Sequence, residues 1–194
     1  MQPDGFARDR APAALVCRQN RRHRPQCRDR IGGLQNDQVG GRTDGNPIVL
    51  VPQQPRSPAQ LEAIRRGGYV LSDCAGVPEA LLIATGSEVG IAAQAAKSLN
   101  DAGRRVRLIS MPCTATFDAQ EASYRESVLP RAVTRRLAVE AGARQSWWRY
   151  VGSAGRVIGI DEFGASGKGA EVMAHFGFTA DNIVQQLREL LEGA

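Results

Sequence analysis

The chain has 194 residues, 42% hydrophobic but only 5% aromatic, so any core has to rest on Ala, Val, Leu and Ile. No apolar run approaches the ~20 residues that span a bilayer, and the start, Met1-Gln2-Pro3-Asp4-Gly5, has no apolar stretch of the signal-peptide kind, so we expect a cytoplasmic protein without a membrane segment. Of the formal net charge of +5, four units fall in residues 1–46, where nine Arg face five Asp without Lys or Glu; the basic pI near 9.4 does not describe the remainder, which argues against nucleic acid as its partner.

Residues 1–41 do not look like a domain. The segment Arg18-Gln-Asn-Arg-Arg-His-Arg-Pro-Gln-Cys-Arg-Asp-Arg30 is almost without apolar content, and residues 31–41 are rich in Gly and Gln without a period. Such a composition buries too little apolar surface to offset backbone entropy, which predicts disorder. A basic tail for RNA or acidic surfaces and a solvated linker are both readings of it. Ile48-Val-Leu-Val51 is a short apolar run. Residues 58–66 read as a helix and 69–71 as a strand. Leu81, Leu82, Ile83 and Ala84 form an unbroken apolar run, as in a strand covered on both faces, so residues 80–85 are a predicted strand. Thr85-Gly86-Ser87 ends it, Ser87 is the expected N-cap of a helix over 87–102, and Gly103 should stop that helix before a strand over 105–111. Strand, helix, strand over about thirty residues is one parallel βαβ unit. Further on we expect a helix over 119–129 stopped by Pro130, strands over 137–140 and 156–160, a helix over 168–175 ending near Gly177, and a final helix over 180–191 capped by Thr179. In the last helix Ile183, Val184, Leu187, Leu190 and Leu191 share one face, which reads as core. Alternating strands and helices give an α/β fold, an open, mostly parallel sheet with helices on both faces.

Several motifs carry a family resemblance. In order they are Gly67-Gly-Tyr-Val-Leu-Ser-Asp-Cys74, Leu82-Ile-Ala-Thr-Gly-Ser-Glu-Val89, Ser110-Met-Pro-Cys113 with Phe117-Asp118, Tyr124-Arg-Glu-Ser-Val-Leu-Pro130, Val139-Glu-Ala-Gly142, Trp148-Arg-Tyr-Val-Gly152, Phe163-Gly-Ala-Ser166 and Phe176-Gly-Phe-Thr179. Together they resemble the C-terminal domain of transketolases over residues 67–194. The resemblance implies that one strand of the sheet is antiparallel. It makes residues 47–66 a linker with a remnant of the end of the pyrimidine-binding domain. A family Ser-Arg-Gln-Asn motif, whose arginine grips the substrate phosphate, is missing between Val51 and Pro52; Arg18-Gln-Asn20 is read as chance. Because the resemblance stops abruptly, residues 1–46 are left unassigned, with an out-of-frame or wrongly started segment favoured over a tail or linker.

The candidate sites are few. Phe163-Gly-Ala-Ser-Gly-Lys-Gly169 has glycines, a hydroxyl and a lysine before a helix, so Ser166 and Lys168 are candidates for holding an anion, with a plain loop as the alternative. Thr85-Gly86-Ser87 lacks both a G-x-G-x-x-G pattern and a P-loop lysine and reads as a turn. Asp161 and Glu162 are adjacent on a strand end and point to opposite sides, so they read as a cap or surface charge. His175 has no recognisable triad partner and reads as packing at a helix end. Trp147, Trp148 and Tyr150, with Arg144 and Arg149, are a candidate interface patch or core cluster. Cys17, Cys27, Cys74 and Cys113 form no zinc or disulfide pattern, and free thiols are expected.

The resemblance implies the transfer of a two-carbon ketol unit between sugar phosphates by thiamine diphosphate, with Mg holding the diphosphate. It implies also that both cofactor domains lie outside this chain. We therefore expect no catalytic, cofactor-binding or metal-binding residue here, an isolated chain without activity that serves structure and dimer contacts, and as partners a chain carrying the missing domains or a second copy. The alternative is a free-standing anion-binding or regulatory domain.

Overall fold

A computed structural model describes residues 56–193, and the segment 1–46, the run Ile48–Val51, Cys17 and Cys27 lie outside them. The first helix, α1 (Pro58–Arg65), opens with a capping box: Ser57 Oγ accepts from Gln60 N at 3.2 Å, and the Gln60 side chain returns a bond to Ser57 N at 2.9 Å. Gly67 ends it with φ +83°. A Cβ there would lie 2.4 Å from the Cys113 carbonyl oxygen, so no larger residue lets α1 run this close to the segment after the third strand.

Five strands follow: β1 (Tyr69–Ser72), β2 (Ala80–Ala84), β3 (Val106–Ser110), β4 (Arg136–Val139) and β5 (Arg156–Ile158). Their order across the sheet is β1-β3-β2-β4-β5. The pairs β3–β2, β2–β4 and β4–β5 are parallel, and β1 alone runs antiparallel against β3. This is the expected α/β sheet with its one antiparallel strand.

The sheet separates two cores, and β2 shows why. All five of its residues are buried. Ala80, Leu82 and Ala84 point to one face and Leu81 and Ile83 to the other, as a period of two demands. The first face is covered by two long helices, α2 (Glu88–Asp101) and α7 (Ala180–Glu192). Ala92, Ala95, Ala96 and Leu99 of α2 and Ile183 and Leu187 of α7 form its core. Gly103 stops α2 in a Schellman motif: with φ +81° it donates to Asn100 O at 3.0 Å while Arg104 N donates to Leu99 O at 3.0 Å. Thr179 caps α7, accepting from Asn182 N at 3.2 Å.

The second face carries only short helices: α3 (Thr114–Asp118), α4 (Ala122–Val128), a 3₁₀ turn (Arg144–Trp147) and α5 (Trp148–Val151). The helix expected over 119–129 stands as α4, over Ala122–Val128, and α3 is an additional helix just before it that the sequence pattern does not predict. Glu121, extended at φ −58° and ψ 149°, separates the two, and Phe117 of α3 and Val128 of α4 enter the same core. The turn and helix over 144–151 were not foreseen. Ser87 is a further correction. It lies in the helical region and its hydroxyl turns to Glu88, so it caps no backbone N–H of α2. The remaining helix, α6 (Gly169–His175), buries none of its side chains.

Candidate functional site

In an open parallel sheet, ligands bind beyond the C-terminal strand ends, where the chain order reverses. Here that point lies beyond β2 and β4, since β2 connects to β3 on one side and has β4 on its other. The loop after β2 brings Glu88 there. Glu88 is only 4% exposed, and its Oε1 accepts from Ser87 Oγ at 3.1 Å. A Cβ on Gly86 would lie 3.4 Å from Glu88 Oε2, so the carboxylate folds back over the turn. The first turn of α2 thus already holds a negative charge of its own, where a phosphate would otherwise meet the helix dipole.

The loop after β4 brings Glu140, which accepts a hydrogen bond from Trp147 Nε1. Past the end of β5, Asp161 accepts from both Arg144 N at 2.9 Å and Arg144 Nε at 2.6 Å. The bond from the Arg144 backbone, followed by that from its guanidinium, holds the Asp161 carboxyl below the usual carboxylate range. Asp161 so caps the 3₁₀ turn from a distance. Glu88, Glu140 and Asp161 each have a partner within the chain.

His175 sits exposed at the end of α6 with its ring 5.0 Å from that of Phe176. It lines an open depression with Arg144, Asp161 and Glu162. Ser166 and Lys168 lie on a wholly exposed loop, and Lys168 Nζ is 3.5 Å from Glu171 Oε1. The three aromatic candidates separate. Trp147 and Tyr150 are buried with ring centroids 5.7 Å apart, whereas Trp148 is 45% exposed. Tyr150 Oη donates to Asp118 Oδ2 at 2.9 Å. Burial first, and then that carboxylate, push the Tyr150 pKa up to about 12.

A grouping that sequence reasoning missed lies on the short-helix face. Arg125 of α4, Arg131, Arg136 of β4 and Arg149 of α5 converge on a cavity of about 300 Å³. They are spread over residues 125–149 without a common period, so no sequence signal joins them.

Among the described residues no group of three or more His, Cys, Asp or Glu is placed to hold a metal. Of the carboxylates at the strand ends, Glu88, Glu140 and Asp161 are paired with Ser87, Trp147 and Arg144. These residues do not fit a magnesium-diphosphate group. Cys74 and Cys113 are free thiols. Among the described residues no helix is long and apolar enough to cross a membrane.

The family described as transketolase-like TK C-terminal domain matches residues 67–179. The chain belongs to the transketolase family. Its similarity to transketolase 1 of Vibrio cholerae is 54% identity over 139 residues, covering 72% of this chain and 21% of that one. Transketolase 1 of Escherichia coli is 52% identical over 155 residues, 77% of this chain and 23% of its own. The solved transketolase from Leishmania mexicana superposes with a TM-score of 0.64 at 36% identity, over 72% of this chain and 20% of that one. The chain spans about a fifth of the length of the transketolases it matches.

Proposed function

We propose that this chain is the C-terminal piece of a transketolase, which moves a two-carbon ketol unit between sugar phosphates with thiamine diphosphate and Mg. In this reading the piece supplies structure and dimer contacts in the cytoplasm, and the cofactor is held by a chain carrying the other domains. The observation that supports it most is the match over residues 67–179 in a chain spanning about a fifth of its relatives. The hydrogen bonds that Glu88, Glu140 and Asp161 accept within the chain agree with a structural role.

The test is reconstitution. The purified chain with thiamine diphosphate and magnesium should neither turn over a ketose phosphate with an aldose phosphate acceptor nor bind the cofactor saturably in calorimetry. Adding a transketolase chain truncated before this domain should bring turnover. Turnover by the chain alone would overturn the proposal.

A further inference from the structure

The four-arginine cavity has no part in the reading above, and its charge is unbalanced. Arg136 is held in place by carbonyls: its guanidinium donates to Val133 O, Tyr150 O and Pro130 O, each at 2.7 Å. Carbonyls satisfy its donors but do not neutralise it, and no carboxylate among the described residues forms an ion pair with it. Burial pulls its pKa down, and the charge of Glu126 offsets that only in part. Arg149 lies 3.1 Å from Asp118 and Arg131 lies 3.5 Å from Glu126. Arg125 makes no ion pair among the described residues. Four guanidinium groups thus face two carboxylates around one cavity, an excess of two positive charges.

Guanidinium forks match the oxygens of a phosphoryl group, and a phosphate ester at neutral pH carries about two negative charges. A volume of about 300 Å³ lies at the small end of ligand sites. Phe117 and Leu129 add apolar wall beside the charges. We propose that this cavity binds the phosphoryl group of a small phosphorylated molecule, with Arg136 as the fixed charge and Arg125 and Arg149 as the exposed arms that close on it. The site is separate from the loop carrying Ser166 and Lys168, and it stands whether or not the chain works within a transketolase.

The experiment titrates the full chain with inorganic phosphate and with phenyl phosphate at constant ionic strength. Thermal midpoint and tryptophan fluorescence are read together, since Trp147 packs on Tyr150 at the cavity wall. Both probes should saturate below about 10 mM and raise the midpoint by a few degrees. Tighter binding of phenyl phosphate assigns an organic phosphate through the apolar wall; equal or weaker binding assigns free phosphate. Arg125→Ala, which has no ion pair to lose, should weaken either probe about tenfold, the usual size of one charged hydrogen bond. Arg149→Ala should do the same, and Arg125→Ala decides the matter should Arg149→Ala fold poorly. Lys168→Ala should bind as the parent does. A response that does not saturate, or one that Arg125→Ala leaves unchanged, identifies an adventitious ion only and overturns the proposal.

Discussion

The two faces of the sheet are built on different principles. One is covered by α2 and α7, of 14 and 13 residues, and is filled mainly with Ala, Val, Leu and Ile, with Phe178 its one buried aromatic residue among those described. The other is covered by α3, α4, the 3₁₀ turn and α5, each of seven residues or fewer, and holds Phe117, Trp147 and Tyr150. Polar groups lace the second face: Tyr150 bonds Asp118, Tyr124 Oη donates to Gly68 O at 2.8 Å, and Arg136 gathers its carbonyls. Long periodic helices give a dry wall that does little chemistry. Short helices expose their ends and connections, and there charged side chains from distant positions meet.

The dry face should be the more sensitive to lost volume. Leu82→Ala removes a fully buried side chain between α2, α7 and the sheet. It should cost about 3–4 kcal/mol in denaturant unfolding, because close-packed surroundings collapse only partly into the space. A loss under about 1 kcal/mol would mean that this wall is no better packed than the other.

On the short-helix face the largest effect should come from polar groups. Arg136→Met keeps much of the volume but leaves the carbonyls of Val133, Pro130 and Tyr150 without their donor. We expect a loss of about 2–3 kcal/mol, read from the urea midpoint. A neutral or stabilised variant would show that this guanidinium is kept for its charge alone.

Tyr150→Phe should cost about 1 kcal/mol near neutral pH through the lost bond to Asp118. It should also change the alkaline limb of stability. The Tyr150 pKa is raised in the folded chain, so its contribution is complete below its unfolded value near 10 and is lost as pH rises toward about 12. Stability curves of parent and variant should therefore converge between about pH 10 and 12. Parallel curves would place the hydroxyl in water.

The smallest effect belongs to neither face. Lys168→Ala removes only an exposed partner of Glu171, and the thermal midpoint without ligand should not change measurably. If phosphate raises the parent's midpoint and this variant abolishes the rise, the anion site is the glycine loop and not the arginine cavity.

The amino-acid sequence by itself determined the dry face and most of the sheet. The run Leu81–Ala84, the 3–4 spacing of Ile183 and Leu187, the stop at Gly103 and the cap at Thr179 are local signals, each decided within a few residues of its effect. Glu88 shows where local reading ends: Ser87 resembles a cap, yet its hydroxyl follows the buried carboxylate beside it. On the other face, tertiary structure decided nearly everything. Whether Trp147 and Tyr150 face inward, why α3 forms ahead of the expected helix, and how Arg125, Arg131, Arg136 and Arg149 share a cavity all depend on contacts between separate elements. A helix of four to seven residues has too little intrinsic preference to form alone, so packing against the sheet selects it. Charges that meet only through such packing leave no period in the sequence to be read.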